Sequence, residues 1–382
     1  MSNVMLVDTN FSSVPIYKYL VLAGHNVTVV GGNPNDALAK SAEDYVHLDY
    51  SDVEKTKRLI ADRSVEKLVP GCNDRSYFVC SEINDNGQFP GIDPLITTEI
   101  INNKEKFRDF SAKHGMPTPR VLADHEIGTR WPVIVKPVDA YSGRGVNIIH
   151  ENNKDEITLA LVHARKESRT GTCIVEDYVE GQLYSHTAFI QSGNVIIDFI
   201  VEEHCSVNQF VVDTSKVIYN FPESLLESIR ANIHLLANKL DLHDGLIHTQ
   251  FISNNNNYWL IEITRRCPGD LYSQLIELST GFKYADNYAR PFVGEPFIFG
   301  KVKQNWVMRH TLTQPLSYTL DSIRFNLPFM LINWVPISRT GDMLQASPSG
   351  RIGIMFTEAS SEQTLNKMIN TTIEHQLYDI NP

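Results

Sequence analysis

Two apolar runs around a polar tract at 254–257 constrain the fold of this chain most strongly. The stretch from His248 to Tyr272 reads HTQFISNNNNYWLIEITRRCPGDLY, which predicts two antiparallel strands joined by a turn. On the second strand, Leu260, Glu262 and Thr264 are expected to share one face, and Ile261 and Ile263 the other. A carboxylate in such a strand is costly to bury without a cation or a hydrogen-bond donor.

Oxygen atoms and cations gather around this strand pair. Gln250 on the facing strand supplies a second oxygen, and Arg265 and Arg266 follow Glu262 closely. Carboxylate and amide oxygens suit Mg²⁺, and guanidiniums suit phosphate or carboxylate groups. The stretch therefore predicts a site for Mg²⁺ and a polyanion, although a solvated hairpin with ordinary surface charges fits the same residues.

Length and composition indicate a globular protein of two or three domains, with 382 residues, 42% hydrophobic and 21% charged. The net charge of −11 argues against nucleic acid as the main partner, because phosphate binding requires a basic surface. No apolar run is long enough to predict a membrane span, and the chain starts directly with a strand. The five cysteines form no CxxC pair, so we expect neither a disulfide framework nor a zinc site, and we expect a cytoplasmic location.

Apolar runs alternate with helical stretches over residues 1–98. Strands are expected at 3–8, 27–30, 45–48 and 67–70, and helices at 15–23 and 74–82. This spacing predicts a doubly wound parallel sheet, which binds ligands at the carboxyl ends of its strands. Asp74 lies at such an end, but it also fits a simple helix N-terminus. A nicotinamide-binding Rossmann domain is disfavoured, because no GxGxxG turn follows the first strand.

A lysine and a glycine loop mark the next segment. The strand at 133–135 runs into Lys136, and a loop then precedes a strand at 146–149; the loop contains Ser142, Gly143, Arg144 and Gly145. Glycines let backbone amides approach phosphate oxygens, and the lysine adds a point charge. A Walker P-loop is excluded because the lysine precedes the glycines. A plain hairpin turn remains the alternative.

Other segments add two candidates and little else. Lys104 lies near the start of a predicted polar helix at 100–115, and a predicted strand at 172–180 carries Glu176 near its end. A periodic helix at 225–240 predicts core packing under the sheet. His243 and His248 permit metal coordination by their spacing, but they also fit two unrelated histidines.

The chain resembles the ATP-grasp superfamily in four features that occur in the same order. They are the helix lysine, the strand lysine before a glycine loop, the glutamate-rich strand end and the strand of Glu262. The resemblance is to its carboxylate–amine ligases of the amino-acid and dipeptide type, and to biotin-carboxylase-like and carbamoyl-phosphate-synthase-like proteins. It implies an α/β and α+β fold with three parts. These are a doubly wound domain at 1–98, a two-lobed ATP-grasp domain at 99–300 with its small lobe at about 115–175, and a C-terminal α+β module at 301–382.

The resemblance implies ATP and Mg²⁺ as cofactors. Lys104 and Lys136 would hold the α- and β-phosphates, and the loop at 142–145 would cover the triphosphate. Glu176 would lie near the adenine amino group. The hinge beside the adenine would use the backbone of two residues, Asp177 and Val179.

The same resemblance implies the metal and catalytic residues. Glu262 would be the principal Mg²⁺ ligand, assisted by Gln250 and Thr264, where the family usually has an acid and an asparagine. The predicted catalytic set is Arg265, Arg266 and Lys136, of which Arg266 matches an arginine that stabilises the reacting carboxylate or its acyl phosphate. Arg309 and Arg351 are further candidates for binding a substrate carboxylate, although a surface position is favoured for both. No ribose-binding acid matches at 183–186.

The predicted function is an ATP-dependent carboxylate–amine ligase with small-molecule acid and amine substrates, and a homodimer is possible. Phosphorylating the acid supplies a leaving group that a free carboxylate lacks, and an amine then displaces phosphate. Two alternatives stay open. One is an ATP-binding regulatory or scaffold subunit without turnover, which Gln250 and Thr264 motivate. The other is a ligase that passes its acyl phosphate to a different acceptor, such as biotin or a thiol.

Overall fold

Short apolar strands that alternate with helices build a parallel sheet at the N-terminus. The computed structural model describes residues 1–140, 143–254 and 257–381. Its first elements are β1 (Asn3–Val7), α1 (Val14–Leu22), β2 (Asn26–Gly31), α2 (Ala37–Ser41), β3 (Asp44–His47), α3 (Val53–Asp62), β4 (Lys67–Pro70), α4 (Asp74–Ile83), α5 (Leu95–Asn102) and α6 (Lys104–His114). The four strands pair in the order β3-β2-β1-β4, all parallel.

The carboxyl ends of β1 and β4 approach each other closely. A Cβ atom on Gly71 would lie 2.2 Å from the Cβ of Asp8, so only glycine fits after β4. The helix that follows is capped by Asn73, whose side chain accepts a hydrogen bond from the backbone of Ser76. This cap sets the start of α4 and therefore the position of Asp74 at the sheet edge.

A small three-stranded lobe follows α6. It contains β5 (Val133–Pro137), β6 (Asn147–Ile149), α7 (Lys154–Glu167) and β7 (Cys173–Asp177). The strands pair antiparallel in the order β6-β5-β7, and apolar residues of α7 pack on them. The lobe therefore has its own small core.

A large antiparallel sheet forms the centre of the molecule. Its segment contains β8 (Gln182–Gln191), β9 (Asn194–His204), β10 (Thr214–Ile218), α8 (Glu223–Lys239), β11 (Gly245–Asn254), β12 (Asn257–Thr264), α9 (Tyr272–Thr280) and α10 (Tyr284–Val293). The predicted helix at 225–240 is α8, which packs its apolar side under one face of the sheet. β11 and β12 pair antiparallel, as the opening stretch predicts, and residues 255 and 256 of the predicted turn lie outside the described residues.

The C-terminal segment extends this sheet. It contains β13 (Trp306–Leu312), β14 (Tyr318–Thr319), β15 (Ser322–Phe325), β16 (Met330–Pro336), β17 (Met343–Leu344), β18 (Gly353–Ala359), α11 (Glu362–Ile373) and β19 (Tyr378–Asn381). The eight strands of the large sheet run in the order β12-β11-β8-β9-β10-β13-β18-β16, so both sides of residue 300 contribute. The domain boundaries at 98 and 300 stay a prediction.

The predicted fold class is confirmed by the parallel N-terminal sheet and the large antiparallel sheet. One hydrophobic core joins residues of the N-terminal sheet, α9 and α10 to one side of the large sheet. Across the described residues, no helix is both long and apolar enough to cross a membrane.

Candidate active site

A cavity of about 650 Å³ lies where the N-terminal sheet, the small lobe and the large sheet meet. The N-terminal domain contributes the segment at 72–75, and the small lobe contributes Gly143 and Arg144. The large sheet contributes the polar residues of β11 and β12. Segments far apart in sequence therefore surround a single space with many charged side chains.

The floor of the cavity is a row of polar side chains across neighbouring strands. Glu262 of β12 pairs with Gln250 of β11, so the two side chains share one face of the sheet. The Nε2 atom of Gln250 donates a hydrogen bond of 2.8 Å to Oε2 of Glu203 on β9. Burial raises the pKa of the Glu203 carboxyl, although the Gln250 bond acts in the opposite direction. Glu203 was not among the site residues predicted from the sequence. The available signal was the Glu202–Glu203 pair, because one of two adjacent acids on a strand must face inward.

Lys104 reaches this row from the start of α6. Its Nζ atom lies 3.9 Å from Oε1 of Glu262 and donates to the carbonyl of Ala140 at 3.0 Å. The side chains of Lys104 and Glu262 are 11% and 32% exposed, so water screens the pair only in part. The structure therefore brings together the predicted phosphate lysine and the predicted metal ligand.

Lys136 and Glu176 form a buried ion pair inside the small lobe. Arg108 of α6 joins it through a 2.6 Å bond from Nε to Oε1 of Glu176. Burial would raise the pKa of Glu176, but the two cations outweigh it and the pKa falls below its ordinary value. Burial lowers the pKa of Lys136, and Glu176 opposes that change. Arg108 was not among the site residues predicted from the sequence. The available signal was its position next to Phe107, on the side of a helix that faces the core.

Arg266 is held by a carboxylate from the N-terminal domain. Its Nε and Nη2 atoms donate to the two oxygens of Asp74 at 3.0 and 2.9 Å. Burial disfavours the charged guanidinium, but Asp74 outweighs it and raises the pKa of Arg266. The hydroxyl of Thr264 also donates to Asp74, at 3.0 Å. Asp74 therefore does more than begin a helix, because it accepts hydrogen bonds from Arg266 and Thr264. The Thr264 hydroxyl donates its proton to Asp74 and not toward the proposed metal.

Arg265 points away from the cavity. Its Nε donates to Asp93 at 2.6 Å, and its other nitrogens donate to the carbonyls of Leu246 and His243 at 2.6 and 2.5 Å. The side chain is only 2% exposed. These three bonds hold the guanidinium in the interior, so the structure does not bring Arg265 to the site and gives it a structural position instead.

Arg309 and Arg351 meet at Asp270. Arg351 donates to Oδ1 of Asp270 at 2.5 Å, and Arg309 lies 4.0 Å from Oδ2. Both arginines line the cavity. Arg309 is buried, so its expected surface position is wrong, and burial lowers its pKa.

The glycine loop lies against a second loop over the cavity. Gly143 has a φ of +68°, and a Cβ there would lie 2.5 Å from the Cβ of Phe210. A Cβ on Gly145 would lie 2.8 Å from both Pro137 and Glu167. Ser142 of the same loop lies outside the described residues. The hinge residues Asp177 and Val179 lie where β7 passes into β8, and the backbone N–H of Asp177 donates to Arg120.

His248 faces the cavity from β11. The ring packs edge-on against Tyr272, and burial holds the pKa of His248 well below its ordinary value, which keeps the imidazole neutral. Within the described residues, its Nδ1 atom is buried without a hydrogen-bond partner. Across those residues, no three His, Cys, Asp or Glu side chains form a ready-made metal site.

The donors present nevertheless fit Mg²⁺ bound with a nucleotide. This cation takes one or two protein oxygens and completes its shell with water and phosphate oxygens. Glu262 offers a carboxylate and Gln250 offers an amide oxygen at the adjacent position. Lys104 beside them would balance phosphate charge.

Comparison with known proteins identifies the central segment. Residues 129–274 match the ATP-grasp domain family. The D-alanine–D-alanine ligase of Fusobacterium nucleatum is 24% identical over 207 residues, which cover 50% of this chain and 66% of the relative. The first curated relatives are covered over only 16–66% of their own lengths.

Solved structures share the whole fold. The L-amino acid ligase from Bacillus licheniformis superposes with a TM-score of 0.78 at 18% identity, covering 100% of this chain and 98% of that one. The biotin carboxylase domain dimer of Hydrogenobacter thermophilus 2-oxoglutarate carboxylase, in complex with MgADP, ADP and bicarbonate, has a TM-score of 0.76. Its identity is 15%, and the match covers 100% of this chain and 90% of that one. At these identities the likeness establishes the fold.

Proposed function

Because the chain contains an ATP-grasp domain, as its relatives among the ligases do, we propose that it is an ATP-dependent carboxylate–amine ligase. The observation that carries this proposal is the 3.9 Å approach of Lys104 to Glu262, which lines a cavity together with Arg266 and Arg309. Groups suited to a metal-bound phosphate thus lie beside groups suited to a carboxylate.

The proposed reaction starts with transfer of the γ-phosphoryl group of ATP to the substrate carboxylate. Lys104 and Lys136 would neutralise phosphate charge, and Arg266, already oriented by Asp74, would stabilise the reacting carboxylate. Mg²⁺, when held by Glu262 and Gln250, would align the phosphates and offset their charge. The glycine loop against Phe210 would exclude water from the acyl phosphate. An amine would then displace phosphate and form the amide.

Amino acids are the proposed substrate class. Arg309 and Arg351 offer guanidiniums for a carboxylate, and Asp270 offers an acid for an ammonium group. Such a mixed lining suits a zwitterion better than an apolar ligand. The amino-acid ligases among the relatives support the same class. A homodimer and a cytoplasmic location are predictions that accompany the proposal.

The test is phosphate release from ATP and Mg²⁺ with pools of amino acids. We expect release that depends on a pool, and a loss of about 100-fold or more in Glu262→Gln, because a metal ligand is removed. Glu151→Gln, an exposed acid on the small lobe, is the matched control and should behave like the wild type. Tight ATP binding without release in any pool would contradict the proposal.

An ATP-binding subunit without turnover is the second candidate. Two observations favour it: the Gln250 amide donates to Glu203, and the Thr264 hydroxyl donates to Asp74. The double variant Gln250→Glu, Thr264→Asn restores the usual family residues. If only this variant releases phosphate, the second candidate is correct.

A further inference from the structure

Gln250 lies where the ATP-grasp resemblance implies an acidic metal ligand, and its amide bonds to a neighbouring carboxylate. The Nε2 atom donates to Oε2 of Glu203 at 2.8 Å. The amide nitrogen can only donate, and the carboxylate oxygen accepts this bond, so the nitrogen faces Glu203. The oxygen, Oε1, is therefore turned away from Glu203. In the described part of the chain, Oε1 has no hydrogen-bond partner.

The order of the strands places Gln250 between two acids. Glu262 of β12 is its direct neighbour on one side, and Glu203 of β9 approaches from the other side beyond β8. An amide oxygen and a carboxylate at adjacent positions are both acceptors, so they need a cation or a donor between them. Lys104, at 3.9 Å from Glu262, meets part of this need.

We propose that Glu203 is a positioning residue that keeps the Gln250 oxygen facing the Mg²⁺ site beside Glu262. This inference rests on the proposed function. Glu203 is only 4% exposed and is part of the same sheet, so its carboxylate is a rigid anchor for the amide. A partner of this kind tunes metal affinity without contacting the metal.

Binding of Mn²⁺ to the full chain saturated with ADP tests the proposal, with free Mn²⁺ measured by electron paramagnetic resonance. In Glu203→Gln the new amide can donate as well as accept, so Gln250 is no longer held in one orientation. We expect the Kd for Mn²⁺ to rise about tenfold or more. Glu202→Gln is the matched control, because this neighbour lies on the opposite face, where it pairs with Lys216. Its Kd should stay within about twofold of the wild type.

A charge swap separates positioning from a general loss of structure. In Glu203→Gln, Gln250→Glu, the new amide donates to the new carboxylate, whose other oxygen faces the metal. We expect this double variant to bind Mn²⁺ within about threefold of the wild type or more tightly. An unchanged Kd in Glu203→Gln, or a double variant no better than that single variant, overturns the inference while the ligase proposal stands. A wild type that binds no Mn²⁺ with ADP overturns both.

Discussion

The adjacent arginines at 265 and 266 have different roles, because one is structural and the other is a proposed catalytic residue. Successive side chains on a strand point to opposite faces, and the strand end carries this alternation into the loop. Arg265 enters the protein interior and bonds to Asp93 and two backbone carbonyls. Arg266 turns to the cavity and bonds to Asp74. The RR dipeptide therefore contains one structural and one proposed catalytic cation.

Lysine substitutions should separate these two roles. Arg265→Lys keeps the charge but cannot reach three acceptors, so we expect a loss of about 3 kcal/mol in the free energy of unfolding. Arg266→Lys should release phosphate about 100-fold more slowly, because the second donor to the reacting carboxylate is lost. Arg266→Lys should lose less unfolding free energy than Arg265→Lys, since the lysine can still pair with Asp74 at a position that water reaches. Urea unfolding and phosphate release measure the two effects.

The opposite pattern would contradict these assignments. If Arg265→Lys lowered turnover while leaving the urea midpoint unchanged, Arg265 would belong to the site after all. If Arg266→Lys kept normal turnover, the Asp74–Arg266 pair would serve only to join the N-terminal domain to the large sheet.

At the scale of elements, the glycine loop after β5 depends on close contact with another loop. Gly143 has positive φ, and an added Cβ would lie 2.5 Å from the Cβ of Phe210. Gly171 has nearly the same backbone, with a φ of +72°, but an added Cβ would have no neighbour within 4 Å. The two positions thus share the same conformational strain and differ in contact.

Alanine at each position isolates the contact. Both Gly143→Ala and Gly171→Ala should lose about 1 kcal/mol in stability from the left-handed backbone. Only Gly143→Ala should weaken ATP binding, because its Cβ forces the loop away from Phe210. We expect its KM for ATP to rise about tenfold, which corresponds to about 1.4 kcal/mol. Equal KM values for the two variants would mean that the loop contact plays no part in nucleotide binding.

Patterns within one element were predictable from the sequence, and partners between elements were not. Period-2 alternation placed Glu262 and Thr264 on one face of their strand, and the structure pairs Glu262 directly with Gln250 of the facing strand. The same rule had no means of finding Asp74 as the partner of Arg266, because 192 positions separate them. It also had no means of placing the C-terminal strands, since local pattern does not state which sheet edge a strand joins.

At the scale of the molecule, the large sheet unites segments from both sides of residue 300. His310 of β13 illustrates the link, because Nδ1 lies 2.8 Å from the hydroxyl of Thr214 on β10. Its Nε2 lies 2.7 Å from the hydroxyl of Tyr378 on β19. The ring is 1% exposed, and burial lowers the pKa of His310 to about 4. A neutral imidazole therefore joins the central sheet to the last strand.

This burial predicts how stability depends on pH. The folded pKa of about 4 lies below the value near 6.5 of an unfolded histidine, so the unfolded chain binds the extra proton between these limits. The free energy of unfolding should therefore rise as pH increases from about 4 to about 6.5, by up to about 3 kcal/mol for His310 alone. Burial of neutral His248 acts in the same direction.

Urea unfolding at pH 5 and pH 7.5 measures this effect. His310→Gln keeps a polar side chain that does not titrate, so the difference in unfolding free energy between the two pH values should shrink. His150→Gln removes an exposed histidine and should leave the difference as in the wild type. If His310→Gln and the wild type show the same pH dependence, the proton is taken up elsewhere. The interior link between the sheet and β19 would then be insensitive to protonation.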